Sequence, residues 1–238
     1  KYLHDSLPNA TYVGFTGTPV DGTIEVFGGV VDAYTMTEAV KDGITVNLVY
    51  DGRAAKVMLN QDKVRQIEEY YAQCELEGAN EHQVEESQKA VAKMEVIIGD
   101  PDRLCAVAED FIKHYETRVA EGATVAGKAM FVCSNRNIAY DFYKIVKELR
   151  PEWTKKKICD DGVVLSEKEK KEMKPMEKIK LVMTRNKDDE KDLFDMLGTK
   201  EDRKELDRQF KNPKSNFKIA IVVDMWLTGF DVPELDTI

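Results

Sequence analysis

Lys128-Ala129-Met130-Phe131-Val132-Cys133-Ser134-Asn135-Arg136-Asn137-Ile138-Ala139-Tyr140-Asp141-Phe142-Tyr143 is the stretch on which the fold turns. Lys128 to Cys133 is a short apolar run ahead of polar loop residues, the pattern of a buried strand. From Asn137 to Arg150 the apolar residues Ile138, Phe142, Ile145, Val146 and Leu149 return at helical spacing on one face, and Pro151 closes the helix. A strand feeding a polar loop and then an amphipathic helix is the unit of a layered α/β fold.

The same alternation continues on both sides. Upstream, Asp100-Pro101-Asp102 is a helix start signal, and Leu104, Val107, Ala108, Phe111, Ile112 and Tyr115 follow at helical spacing until Glu121-Gly122. Downstream, Lys180 to Thr184 reads as a second strand. Residues 187 to 211 read as helical and highly charged, with Leu193, Phe194, Leu197, Leu206 and Phe210 toward the core, and Ile219 to Val223 reads as a third strand. The expectation is an α/β fold with a parallel sheet, whose working loops lie at the strand C-termini.

Further out, Ala10 to Pro19 reads as a buried strand ending in a tight polar loop. Val20 to Tyr50 suggests short strands around a small helix at Met36 to Lys41, and residues 61 to 97 a helical pair or insertion. Leu235 to Ile238 looks like the start of another element, so the chain reads as cut from something longer. Phe15, Phe131, Val132, Trp226 and the Ile219 to Val223 run are expected in the core. Met225 and Trp226 are expected to pack the loop after that run from beneath.

With 238 residues, 42% hydrophobic and 33% charged, the composition excludes disorder and fibre. No run approaches a membrane span and no secretory signal opens the chain, so a soluble, cytoplasmic protein with no membrane partner is expected. Cys74, Cys105, Cys133 and Cys159 are too widely spaced for a CxxC metal site and are read as buried thiols; no metal site is expected. The net charge of −9 argues against a protein that holds nucleic acid by bulk electrostatics, so any such contact must be local. Residues 61 to 100 are strongly acidic. The Lys-rich 168 to 180 segment reads as a mixed-charge solvated surface, with contact to a DNA backbone as the alternative.

Gly122-Ala123-Thr124-Val125-Ala126-Gly127-Lys128-Ala129 nearly matches a phosphate loop and fails on two counts. Ala129 lacks the hydroxyl that binds Mg²⁺, and the segment lies between a helix and a strand in the wrong order. It reads as a helix exit. His4, His82 and His114 are scattered, and no hydrolase triad or HExxH pattern is present. Three loops remain, each placing small, hydroxyl or charged residues after an apolar strand: Thr16-Gly17-Thr18-Pro19, Ser134-Asn135-Arg136, and Leu227-Thr228-Gly229-Phe230-Asp231-Val232-Pro233.

In this order and at these intervals, GFTGTP, KAMFVCSNRNIAYDFY and IAIVVDMWLTGFDVPEL resemble helicase motifs III, IV and V of the R (restriction, motor) subunits of type I restriction enzymes, within helicase superfamily 2. The resemblance implies a RecA-like P-loop NTPase motor lobe, the second of two. Its division would be residues 1–19 as the last strand and coupling loop of the first lobe, 20–60 a link, 61–100 a helical insertion and 101–238 the second lobe without motif VI. It further implies an ATP-dependent translocase of double-stranded DNA that cuts far from its recognition site, using ATP and Mg²⁺ and working with specificity and modification (methyltransferase) subunits. Thr16, Gly17 and Thr18 would couple ATP hydrolysis to DNA contact. Ser134 and Arg136 would touch the DNA backbone, Thr228 a DNA phosphate, and Gly229 and Asp231 the nucleotide, with Asp231 toward the ribose. The phosphate loop, the DExH-type metal segment and the arginine motif of that family are not in this sequence, so the chain alone is expected neither to hydrolyse ATP nor to cut DNA. Two other readings stand beside it: a superfamily 2 motor without a nuclease, and a non-catalytic interaction module docking through the acidic block 61 to 97.

Overall fold

Alternation of side chains along Lys128–Val132 sends Ala129 and Phe131 to one face and Met130 to the other, and both faces are covered. The computed structural model describes residues 5–7, 9–17, 21–52, 98–227 and 229–238. The chain divides into two units, residues 1–53 and 54–238. Thr18, Cys74, Thr228 and the acidic block 61–97 lie outside the described residues.

The described part of the first unit holds helices α1, Asp21–Phe27, and α2, Met36–Lys41. Helix α2 starts in a capping box in which the Glu38 N–H donates to the Thr35 hydroxyl and the Thr35 N–H donates back to the Glu38 carboxylate at 2.7 Å. It is the small helix expected from the sequence. The strands expected around it and at Ala10 to Pro19 are not formed among the described residues, and Phe15 is 94% exposed rather than buried. A strand needs a neighbour to satisfy its backbone groups, and no described segment of this unit pairs with these stretches.

The second unit is built on a four-stranded parallel sheet: β1, Lys128–Val132; β2, Ile179–Val182; β3, Ile219–Val222; and β4, Leu235–Thr237, in the order β2-β3-β1-β4. Strand β3 is central, pairing Ile219 with Ala129 on one side and with Ile179 on the other, and each of its four residues is fully buried. On one face Ala129, Ile179, Leu181, Ile219 and Ile221 pack with α3, Pro101–Ala120; α4, Arg136–Leu149; and α6, Lys191–Leu197. On the other, Met130, Val182, Ala220 and Val222 pack with Leu206 and Phe210 of α7, Lys200–Lys211, and with Phe217. A short charged helix, α5, Glu167–Glu172, precedes β2.

Helix α3 begins as the sequence predicts, with Asp100 accepting from the Arg103 N–H at 3.3 Å and Pro101 in the first turn. Beyond its end the Tyr115 hydroxyl donates to the Gly127 carbonyl at 2.9 Å, fixing the 122–128 stretch as a loop into β1 rather than a phosphate cradle. Phe131 stacks on Phe142 of α4 at 3.9 Å between ring centroids. Val132, expected in the core, is 42% exposed, because β4 pairs only with Lys128 and Ala129 and stops short of it. The single helical stretch expected over 187 to 211 is two helices. Gly198 breaks it at φ +64°, where a Cβ would lie 2.8 Å from the Asp202 side chain that caps α7. Cys133 is buried, its thiol pushed up to about 12 by burial, whereas Cys105 and Cys159 are only partly buried; all three are free thiols.

Lys128 carries an ionisable amine into this core. It is fully buried, donates from Nζ to the Phe217 carbonyl at 2.6 Å and sits 5.1 Å from the Phe210 ring centroid. Burial, helped by the charge of Lys218 and opposed by Asp160 and Glu234, brings its ammonium down to about 7. An unfolded chain holds that proton up to the ordinary lysine range near 10.5, so above pH 7 the unfolded state binds more protons than the folded one. Stability against denaturant should therefore rise as pH increases from 7 toward 9.5. A Lys128→Met variant should show a shallower rise over the same window, checked by urea midpoints at each pH.

Candidate functional site

Because all four strands run parallel, the loops after β1, β2 and β3 leave the sheet at one edge. The loop after β1 is only three residues long. Ser134 is exposed there, and Asn135 serves as the N-cap of α4, accepting from the Ile138 N–H at 2.9 Å. Asn135 is thus a structural part of the loop, and Ser134 is its exposed hydroxyl.

Arg136 follows, and its guanidinium is committed within the chain. Nη1 donates to the Thr184 carbonyl at 2.7 Å, and Nη2 donates to Asp189 Oδ1 and Oδ2 at 2.5 and 2.6 Å. Since β3 lies between β1 and β2, this arginine ties the first and second loops across the end of β3. Asp189 is 6% exposed and also accepts from the Asn186 N–H at 2.6 Å. Burial pushes the Asp189 carboxyl up, but the hydrogen bonds from Arg136 and Asn186 and the arginine's charge outweigh it and hold the group below its ordinary range. A phosphate contact through Arg136 must compete with Asp189.

The loop after β3 takes an irregular course. Asp224 and Trp226 have φ of +53° and +63°, values that non-glycine residues rarely adopt, and Gly229 follows at +67°. What holds it is a stack: the Trp226 ring lies 4.1 Å from that of Phe230, nearly parallel at 8°, and 5.3 Å from that of Phe210 in α7. Trp226 thus packs the loop from beneath, as expected from the sequence, although it is partly exposed rather than core. Leu227 (50% exposed), Gly229 and Asp231 are presented to solvent, while Val232 is buried and anchors the far side.

Parallel pairing thus puts the Ser134–Arg136 loop and the start of the loop after β3 at one edge of the sheet, while Gly229 and Asp231 lie further along that second loop, which crosses back to the first residue of β4, Leu235, opposite Lys128. Thr16 and Gly17 are exposed in the first unit. Sequence reasoning missed Asp189, whose partner lies 53 residues away, and Arg185, whose guanidinium lies 4.4 Å from the Phe194 ring centroid. Asp188-Asp189-Glu190 gave no signal beyond a hydrophilic turn. Among the described residues no group of three His, Cys, Asp or Glu side chains could hold a metal ion, and no helix is long and apolar enough to cross a membrane.

The type I restriction enzyme subunit R domain 3 family matches residues 125–238, the part that carries this edge, and the SWI2/SNF2 ATPase family matches residues 1–85. The endonuclease subunit of the HindI type I restriction enzyme of Haemophilus influenzae is 35% identical over the whole chain. The chain belongs to the R-subunit family of type I restriction enzymes. A putative MjaIXP endonuclease subunit of Methanocaldococcus jannaschii is 34% identical over 99% of the chain, and a putative MjaVIIP subunit of the same organism 28% identical over 97%. The chain spans about a fifth of the length of these curated relatives, 20% of the first two and 22% of the third. No solved structure matches it. The all-parallel α/β architecture is that of a RecA-like lobe of this R-subunit family.

Two consequences follow for this edge. Removing the guanidinium in Arg136→Ala strands the nearly buried Asp189 carboxylate and should destabilise the unit by roughly 1–3 kcal/mol, read from urea unfolding, with Asp189→Asn milder because Asn186 and Arg136 keep a partner oxygen. Trp226→Ala removes the stack and should cost roughly 2–4 kcal/mol. In hydrogen exchange, the amides of residues 227–232 should lose protection while those of β3 keep theirs.

Proposed function

We propose that this chain supplies one wall of the ATP-driven motor of a type I restriction R subunit, which moves duplex DNA before cleavage. The observation that supports it is a parallel sheet whose strand-exit loops expose Ser134 after β1 and Gly229 and Asp231 after β3, in a chain 35% identical over its length to such a subunit. Ser134 and the first N–H groups of α4 meet a DNA phosphate, where a hydroxyl and backbone donors carry no base information and suit a motor that steps over any sequence. Thr228 meets a second phosphate. Arg136 holds the Ser134 loop against the Thr184–Asp189 segment and reaches DNA only by exchanging its carboxylate partner.

Gly229 and Asp231 face the nucleotide, with Asp231 accepting from a ribose hydroxyl, and Thr16, Gly17 and Thr18 relay the state of the nucleotide to DNA. The exposed carboxylate and glycine loop fit one side of an ATP site; among the described residues no three or more His, Cys, Asp or Glu side chains gather to hold a metal ion. ATP supplies the free energy of phosphoryl transfer, and this chain's residues orient nucleotide and backbone without themselves completing the phosphate cradle. The intact protein acts in the cytoplasm with specificity and modification subunits. Residues 1–19 close the first lobe, 20–60 link, 61–100 form an insertion and 101–238 belong to the second lobe; alone the chain is inactive.

In the intact subunit, Asp231→Ala should raise KM for ATP by about tenfold, the worth of roughly one good hydrogen bond, and Ser134→Ala should weaken stimulation of ATPase by DNA. Wild-type kinetics in both folded variants would remove the proposal. The SWI2/SNF2 match over residues 1–85 also suits a motor without a nuclease. Uncut circular DNA under full ATP turnover, with the partner subunits present, would favour that second reading.

A further inference from the structure

Arg185 sits in the loop after β2, on the same edge of the sheet as Ser134 and one residue beyond Thr184, whose carbonyl receives Arg136. Its guanidinium carbon lies 4.4 Å from the Phe194 ring centroid. Such contact holds a guanidinium without using its hydrogen-bond donors. Nε is buried without a hydrogen-bond partner and is closed to an outside ligand, whereas Nη1 and Nη2 donate to nothing in the chain and are not fully buried, so they form the open part of the fork. Asp202, whose carboxyl is held low mainly by hydrogen bonds from Thr199, also feels the charge of Arg185 but accepts no hydrogen bond from it. Arg185 is therefore fixed in orientation while its donor fork is unmatched.

The contrast with its neighbours is sharp. Arg136 is matched to Thr184 and Asp189, and Arg150 to Glu116. Arg103 and Arg118 donate to backbone carbonyls, and Arg208 to Glu205 and Glu172. Of the described arginines only Arg185 and Arg203 donate to no oxygen of the chain, and of these two only Arg185 is held against an aromatic ring. A planar fork with unmet donors is the group that recognises a phosphate by two parallel hydrogen bonds.

We infer that Arg185, held by Phe194, is a phosphodiester contact of this lobe, and that it carries the backbone contact that the motif position of Arg136 suggests. The inference rests on the translocase reading for the identity of its ligand. Asp188 and Glu190 are exposed in the same loop and Lys187 and Lys191 offset them, so the local field is near neutral and the contact depends on geometry rather than on a basic patch.

The test uses the intact R subunit with its partner subunits and a duplex lacking the recognition sequence, with affinity measured across a series of salt concentrations. Arg185→Gln should bind about tenfold more weakly and lower the slope of log affinity against log salt by about one, the loss of one phosphate contact. Arg185→Lys should keep the slope while losing part of the affinity, because charge remains and the fork does not. Phe194→Leu, which leaves the arginine in place but unheld, should fall between wild type and Arg185→Gln. Wild-type affinity and slope in Arg185→Gln would overturn the inference, as would a slope lowered by Arg136→Gln but not by Arg185→Gln. Absence of salt-dependent duplex binding by the wild-type complex would instead overturn the translocase reading, and this inference with it.

Discussion

The in-register parallel pairing of β3 between β1 and β2 is the constraint on which the second unit depends. A central parallel strand has both faces and both edges occupied, so Ile219-Ala220-Ile221-Val222 is apolar at every position and fully buried. Once β3 is placed, the alternation of β1 and β2 decides which helices lie on which face. Phe142 of α4 meets Phe131 on one side, and Phe210 of α7 meets Phe217 on the other. The same pairing forces three loops to leave at one edge, and the residues that face nucleotide and DNA in the proposed motor lie on the first and third of them.

At that edge the loops are held by different physics. The loop after β1 is held by a helix cap and an ion pair, and the loop after β3 by a stack of aromatic rings beneath two left-handed residues. A hydrogen-bonded tie fixes distance and direction, whereas stacked rings tolerate sliding at small cost. The Arg136 tie thus links the first and second loops by directional hydrogen bonds, while the loop with Gly229 and Asp231 is held by ring contacts and by buried Val232. That division suits a coupling element, which has to move relative to the wall it borders.

What was legible in the sequence follows from how local each signal is. Helix α3 could be bounded from Asp100-Pro101 and Glu121-Gly122, and the end of α4 from Pro151, because caps and prolines act over one turn; the expected start of α4 at Asn137 falls one residue late, since Asn135 reads as plain loop rather than as the cap. The strands were legible because a doubly covered parallel strand is apolar throughout. Val132 failed because its exposure depends on where β4 stops, a fact held 100 residues downstream, and Phe15 failed because burial of a strand requires a neighbour. The break at Gly198 was hidden by apolar residues that keep helical spacing on both sides of it. At the edge itself, residue types such as Ser134 and Asp231 could be read from motif spacing. Whether a guanidinium is matched or open could not, since Asp189 and Phe194 lie dozens of residues from Arg136 or in a different element from Arg185.

In the proposed motor an acidic chain has to meet a polyanion, a problem that its cation inventory addresses. With a net charge of −9, long-range repulsion opposes approach to DNA, and the exposed lysines Lys168, Lys170 and Lys174, like the mostly buried Lys180 of β2, are already beside Glu172, Glu167, Glu205 and Glu177. Their pairing supports the mixed-charge reading of that segment over a DNA track. Neutralised cations cannot supply the counterion release that gives nonspecific DNA affinity. Affinity must instead come from a few donors whose partners are missing within the protein: a hydroxyl at Ser134, backbone N–H groups at the start of α4, and an arginine held by a ring rather than by an acid. In the proposed motor such a surface would bind weakly at any one phosphate and release it readily, and for a device that advances along DNA, release matters as much as capture.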